Sequence, residues 1–372
     1  MLVILVPSLS VGGTERQVCV LVNGIVTAQP SMRQEVVVVT LRGGGALERD
    51  VRDGGVVVVS PQPRGPVPGL RSILGLIRVL RDHRPTVVYS LLTPANVLAA
   101  LVRPVSGRYR LVWGVRSQTG SMGRARWRRV AVEWAVRLCA VGVERVVVNG
   151  DAVAEYVCSL GVRRDRIVVI PNGIDTSRFA PDAWTRALVR SELDVADDAV
   201  LVVSLARFVP EKDHETLLRA LALFVASGPV TMAFLAGDDP LGALPALQRL
   251  SVDLGLAEVV RFSPPRNDVE AIMNAADVLV LSSVSEGMPN VVLEALACGT
   301  PVVSTDAGDV RSVLPADRVV AVRDPQALAR TMLAATSSAA GRRASLLADR
   351  YAVHSMVEAT LQALMLTSDA PE

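Results

Sequence analysis

The chain has almost no lysine: of its 39 basic residues 38 are arginine, and Lys212 stands alone in the stretch ARFVPEKDHETL, residues 206–217. A lysine held against so strong an arginine bias marks a position to follow. Long hydrophobic runs are also missing. Half of the residues are apolar, but they come in runs of four to eight broken by Gly, Pro and charge, far short of the ~18 consecutive apolar residues that a membrane span needs. The N-terminus MLVILVPSLSVGG is as apolar as a signal sequence, yet it lacks a basic leader and runs directly into a Gly-rich turn. It reads as a first strand, with the protein cytoplasmic. The four cysteines (Cys19, Cys139, Cys158, Cys298) form no C-x-x-C pair and have no histidine near enough to complete a zinc site, so buried thiols in a reducing compartment are expected. Aromatics make up 3 % of the chain, too few to interleave with the arginines as a nucleic-acid stacking surface would require, and no nucleic-acid partner is expected. A D-x-D motif, the usual metal–diphosphate anchor, is absent too; no metal and no cofactor are expected.

What the chain does have is periodic. Seven strand-like runs (2–7, 35–41, 56–60, 86–91, 109–115, 145–150, 166–171) alternate with helix-length amphipathic stretches, and six more (199–206, 230–237, 259–263, 278–283, 300–305, 318–323) repeat the pattern. Their β-branched character on both faces predicts parallel sheets covered on both sides. The fold class is therefore α/β, with two Rossmann-like domains in one chain. The boundary falls in PNGIDTSRFAPD, residues 171–182, where Pro, Gly and Asp cluster. This gives an N-terminal domain over 1–175 and a C-terminal domain over 176–350. Beyond them, 351–372 holds a helix with Val353, Met356, Val357, Leu361 and Leu364 at helical spacing, fit to cross back to the first domain. The net charge of +2 conceals an asymmetry: residues 1–178 carry 24 Arg against 12 acids, and the remainder 15 bases against 25 acids.

Ligands of open parallel sheets bind beyond the carboxyl ends of the strands, so the chemistry should lie in the strand-to-helix loops. After the first strand, SLSVGGTERQ offers Gly12 and Gly13, which let a ligand approach the backbone, but it is neither a dinucleotide fingerprint nor a Walker loop. By itself it suits a structural turn as well as a site. In the Lys212 loop, Arg207 and Lys212 lie five residues apart before a helix capped by Asp213. A forked and a compact cation beside a helix N-terminus suit a diphosphate, while a surface ion pair with Glu211 or Glu215 is the plain alternative. In SSVSEGMPNVVLEALACGTPVV, Glu286 lies in a loop and Glu294 in a short helix begun by Pro289 and closed by Gly299. Carboxylates so placed accept hydrogen bonds from paired sugar hydroxyls.

The E-x7-E block, with GGTE, VIPNGID, RFVPEK, AGDDP and NAADVLVLSS in that order around it, resembles the retaining GT-B glycosyltransferases of glycosyltransferases group 1, or family 4, over most of the chain. The resemblance implies two Rossmann-like domains facing a cleft, and transfer of a hexosyl group from a nucleotide-diphosphate sugar to an acceptor hydroxyl without a metal. It gives Arg207, Lys212 and Glu286 the catalytic roles. Gly12, Gly13, Glu286, Gly287, Met288, Pro289, Asn290, Val291 and Glu294 would join Arg207 and Lys212 around the donor, and Glu15 and Arg116 would lie nearer the acceptor. Three positions depart from the family pattern: Ala206 stands where Gly is frequent before the arginine, Asp239 interrupts Gly-Asp-Gly-Pro, and GVRSQ places Arg116 where many members carry a histidine. An arginine there donates hydrogen bonds but is no general base. The sequence leaves two other readings open, an epimerase or donor hydrolase of the same fold and an inactive nucleotide-sugar-binding partner. Residues 123–138, GRARWRRVAVEWAVRL, surround Trp127 with Arg124, Arg126, Arg128 and Arg129, while Val130, Val132, Trp134 and Leu138 supply apolar surface. They fit a core-packed helix with a basic edge, or a peripheral contact with the inner face of a membrane or with a lipid-linked glycan acceptor. Surface polysaccharide or glycolipid assembly is the expected setting.

Overall fold

A computed structural model describes residues 1–10, 12–61, 70–116, 126–337 and 350–365, with only the backbone of 70–71 and 126–129. The chain divides into two compact units: Met1–Gly173 with Tyr351–Glu372, and Ile174–Arg350.

The first unit is built on seven parallel strands: β1 Leu2–Val6, β2 Val36–Thr40, β3 Val57–Val59, β4 Val87–Leu91, β5 Arg110–Val115, β6 Arg145–Val148 and β7 Ile167–Val169. Their order is β3-β2-β1-β4-β5-β6-β7. All seven expected strands are present, each trimmed where loop residues take over. Successive side chains of a strand point to opposite faces, and both faces are dry here. Leu2, Ile4 and Val6 of β1 pack into one core with Ile25 and Leu361, whereas Val3 and Leu5 pack into the other with Leu76, Ala99 and Trp113. That explains the unbroken apolar runs. The helix Val353–Ala363 belongs to this unit, as its spacing predicted: Met356, Val357, Leu361 and Leu364 are buried in the core shared with the helix Gly13–Ala28. The two helices meet at Gly24, where a β-carbon would lie 2.7 Å from a methyl of Val357 and 2.8 Å from one of Val353. Only glycine permits that approach. Gln17 closes the same corner through two hydrogen bonds of 3.0 Å with the backbone of Gly173.

The second unit holds β8 Val200–Leu205, β9 Thr231–Ala236, β10 Val260–Ser263, β11 Val278–Leu281, β12 Val302–Thr305 and β13 Val319–Val320 in the order β10-β9-β8-β11-β12-β13. All six expected strands again appear. The last is cut to two residues: it pairs only with β12, and Arg323 enters the left-handed region at φ +59°. In each sheet the strand order reverses once, between β1 and β4 in the first and between β8 and β11 in the second. Those are the points at which open α/β sheets leave a crevice for a ligand.

Candidate functional site in the second unit

The loops after β8 and β11, the two strands that flank this reversal, are the ones that carry the lysine and the paired glutamates. After β8 the chain forms a short 3-10 turn, Pro210–Lys212, and then the helix His214–Ala226. Asp213 is the cap, as its position predicted: its carboxylate accepts from the Thr216 amide at 3.3 Å and the Thr216 hydroxyl at 2.7 Å. Asp213 does so at φ +45°, a conformation that costs a non-glycine residue about 1 kcal/mol or more and that sets Lys212 immediately before the helix start.

Lys212 donates to Glu286 Oε1 at 2.5 Å, and the Ser283 hydroxyl donates to the same oxygen at 2.6 Å. Glu286 Oε2 has no partner among the described residues. The ion pair does link Lys212, but not to the neighbours that local sequence suggested, since Glu215 instead pairs with Arg219 one turn along its helix. Two further bonds join the loops: Ser282 Oγ to the Lys212 carbonyl at 2.8 Å, and the Val284 amide to the Glu211 carbonyl at 2.9 Å. Arg207 is exposed, and its side chain makes no hydrogen bond or ion pair with another described residue.

Supporting loops hold this pair in place, and sequence reasoning missed most of them. A β-carbon on Gly237 would lie 1.9 Å from the Ala206 carbonyl oxygen, and the Phe208 amide donates to the Asp238 carbonyl at 2.8 Å. The AGDDP loop thus braces the backbone on both sides of Arg207. The departure at Asp239 is also accounted for: its carboxylate accepts from the amides of Ala243 and Leu244 at 2.7 and 3.0 Å, tying this loop to the start of the helix Leu244–Asp253. Gly308, at φ +65°, presses on the other loop, where a β-carbon would meet the Gly287 carbonyl oxygen at 2.1 Å. The Gly-Asp pair in DAGDV is the signal that was available for it. Pro289 caps the helix Asn290–Ala297 rather than opening it, one position earlier than expected, and Gly299 ends that helix at φ +73°. Gly287, Met288 and Val291 lie in this loop and first turn, and Glu294 on the helix that follows. A helix start favours negative charge.

The remaining expected residues stand in the first unit. Gly12 caps the helix Gly13–Ala28 in an extended conformation, with Glu15 in its first turn so near that a β-carbon on Gly12 would meet the carboxylate at 2.4 Å. Arg116 follows β5 and is buried. Among the described residues, no group of three or more His, Cys, Asp or Glu is arranged to hold a metal ion. Cys19 and Cys298 are buried free thiols, as expected, whose pKa values burial pushes up to about 12, whereas Cys139 and Cys158 are only partly buried.

Two family models match the chain: Glycosyltransferase Family 4 over residues 11–178 and Glycosyl transferases group 1 over residues 199–338. The chain belongs to the group 1 and family 4 glycosyltransferases. Among curated relatives, D-inositol 3-phosphate glycosyltransferase of Geodermatophilus obscurus is 35 % identical over 240 residues, 58 % of this chain and 52 % of that one. The lipopolysaccharide core biosynthesis glycosyltransferase LpsE of Rhizobium meliloti is 39 % identical over 160 residues, 43 % of each chain. The matches span about half the length of these curated relatives. Anabaena Alr3699/HepE, solved in complex with UDP-glucose, shares the fold at a TM-score of 0.85 and 21 % identity, covering 99 % of this chain and 100 % of that one. WaaG, a glycosyltransferase involved in lipopolysaccharide biosynthesis, does so at 0.75 and 18 %, with coverage of 99 % and 100 %. The fold is thus the GT-B fold, two Rossmann-like parallel-sheet domains.

His214, next to Lys212, is buried against Phe208 at 4.9 Å between ring centroids, and burial first, then the Lys212 charge, lowers its pKa to about 4. The unfolded histidine titrates near 6.5, so the folded state favours the neutral ring. That contribution is complete above pH 6.5 and is lost as pH falls towards 4. Unfolding at pH 7.5 and pH 5 should therefore differ by about 2 kcal/mol on account of this residue. In His214→Phe, chemical denaturation should show a correspondingly flatter dependence over that range; an unchanged slope would mean that the ring titrates normally in the fold.

Proposed function

We propose that the chain transfers a hexosyl group from a nucleotide-diphosphate sugar to an acceptor hydroxyl, with retention at the anomeric carbon, in the assembly of a polysaccharide or glycolipid. The observation that carries this reading is the ion pair of Lys212 with Glu286 across the topological switch point, with the exposed Arg207 in the same loop as Lys212 and Glu294 on the helix that follows the Glu286 loop. A diphosphate takes up two cations and a helix N-terminus; ribose and hexose hydroxyls take up two carboxylates. The UDP-glucose carried by HepE and the relatives named for D-inositol 3-phosphate and for lipopolysaccharide core biosynthesis support the same direction.

In this reading Lys212 exchanges Glu286 for the donor's diphosphate. Glu286, still held by Ser283, then accepts a hydroxyl of the donor sugar through Oε2. Glu294 accepts the ribose hydroxyls. As the bond between the anomeric carbon and the phosphate oxygen breaks, negative charge grows on the leaving nucleoside diphosphate, and in this reading Arg207 and Lys212 stabilise it. The acceptor oxygen bonds the same carbon from the same face, and its proton passes to the departing phosphate oxygen. Charge stabilisation comes from side chains and helix starts, and the mechanism as proposed calls on no metal.

Lys212→Ala and Glu294→Ala, tested with UDP-glucose and related donors, should each lower nucleotide release by about 100-fold or more with circular dichroism unchanged. Wild-type turnover in both would refute the site. Equal release with and without acceptor would point to the hydrolase, and interconversion of donor sugars to the epimerase.

The peripheral contact proposed for residues 123–138 has surface to support it. Arg124 lies outside the described residues, and for Arg126, Trp127, Arg128 and Arg129 only the backbone is described. On the rest of the helix Arg126–Ala140, Val136 and Ala140 face the core and Val132 packs against it, while Trp134 and Leu138 are 56 % and 72 % exposed and Val130 is exposed with them. The segment is thus neither wholly core-packed nor lined by all four apolar residues on one outer face. Leu101 and Val105 on the helix Thr93–Ser106 are exposed in the same way, and the two helices pack together. No helix among the described residues is long and apolar enough to cross a membrane. An apolar stripe in the arginine-rich half suits an anionic bilayer surface. The protein should co-sediment with phosphatidylglycerol vesicles and not with phosphatidylcholine, and Trp134→Ser with Leu138→Ser should reduce that binding at least several-fold; equal sedimentation of the double variant would remove the stripe from the account.

A further inference from the structure

Arg116 is only 6 % exposed, and its contacts are neutral. It donates through Nη1 to Asn172 Oδ1 at 2.8 Å and, at a long 3.4 Å, through Nη2 to the Tyr89 hydroxyl. Its Nε–H is buried without a partner, and no carboxylate among the described residues lies within ion-pair distance. Asn149, 2 % exposed, donates to the Arg116 carbonyl at 3.3 Å, yet its own Oδ1 has no partner either. A guanidinium out of water normally acquires a counter-charge, because leaving it uncompensated costs several kcal/mol. Here the compensation is missing.

The position makes that deficit specific. Arg116 follows β5, Asn149 follows β6 and Asn172 follows β7, so three adjacent parallel strands deliver these side chains from their carboxyl ends, the side on which such sheets take ligands. Gly114 helps to make room: a β-carbon there would stand 3.0 Å from the Tyr89 hydroxyl. A neutral sugar hydroxyl would satisfy one N–H and leave the charge. An oxyanion satisfies both, since arginine forks two oxygens through Nε and Nη.

We propose that Arg116 is the counter-cation for an oxyanion, phosphate or carboxylate, carried by the acceptor, and so selects acidic over neutral acceptors. The inference rests on the reading of the first unit as the acceptor side. Arginine rather than histidine is then a specificity choice: a permanent charge at all working pH values instead of a titrating ring.

The test is thermal unfolding of the full chain in inorganic phosphate against chloride at matched ionic strength, in a Lys212→Ala background that weakens phosphate binding at the donor site. Phosphate should raise the unfolding temperature, and Arg116→Met should abolish that rise. With no anion present, Arg116→Met should be at least as stable as its parent, since a buried unpaired charge has been removed; a merely structural clamp would be destabilised by the change. Arg116→Lys should restore part of the phosphate response. Where UDP-sugar turnover is measurable, Arg116→Met should raise KM for a phosphorylated or uronic-acid acceptor at least about thirtyfold more than it raises KM for a neutral one. An identical phosphate response in the parent and in Arg116→Met, or an Arg116→Met that is less stable in chloride and equally responsive, overturns the proposal. Should Arg116→Met fail to fold, Asn149→Ala in the same titration decides it, an undiminished response counting against. A phosphate response without any UDP binding would refute the donor reading alone; UDP binding without a phosphate response would refute this inference alone.

Discussion

The ion pair between Lys212 and Glu286 is the contact on which the second unit's candidate site depends. It spans 74 residues of sequence and joins the two loops on either side of the strand reversal, β8 and β11. Most of the surrounding detail serves to hold those two loops. Asp213 accepts a strained backbone to cap a helix immediately after the lysine, Ser283 fixes the same carboxylate oxygen, and Gly237 and Gly308 let neighbouring loops press in where a β-carbon would clash. For the proposed exchange of Glu286 for a diphosphate, a lysine serves better than an arginine because its single compact charge can leave one oxygen for another without reorganising a planar fork.

The pair also resolves an apparent conflict in the chemistry. A site with two glutamates should repel a diphosphate. In the proposed reading, the lysine's bond to one of them brings the loop surface closer to neutral before a donor arrives, and Arg207 is exposed with no carboxylate paired to it among the described residues. The first unit shows the opposite condition, a buried guanidinium whose partners among the described residues are all neutral.

The strands were legible because both faces of each sheet are buried, which forces unbroken β-branched runs whose limits survive in the primary structure. The Asp213 cap and the Gly299 stop were equally plain, being local chemistry. What could not be read was tertiary. No spacing rule links Lys212 to Glu286 across 74 residues, so local reasoning offered Glu211 and Glu215 instead. The bracing role of Gly237 and Gly308 depends on a second loop lying close, and a lone glycine looks the same whether it turns a chain or makes space for one. Arg116 was visible as a substitution for histidine, but that it lacks a counter-charge became apparent only when Asn149, Asn172 and Tyr89 were found around it.

The central claim is that Lys212 is shared between Glu286 and the donor's diphosphate. Titration calorimetry of UDP against the wild type, Lys212→Ala and Glu286→Gln tests it without any need for an acceptor. The account predicts that UDP binds Lys212→Ala at least about tenfold more weakly, as expected on losing a charge-assisted contact, and binds Glu286→Gln more tightly than wild type because the lysine is released. Weaker binding by Glu286→Gln, or UDP affinity indifferent to Lys212, would contradict it.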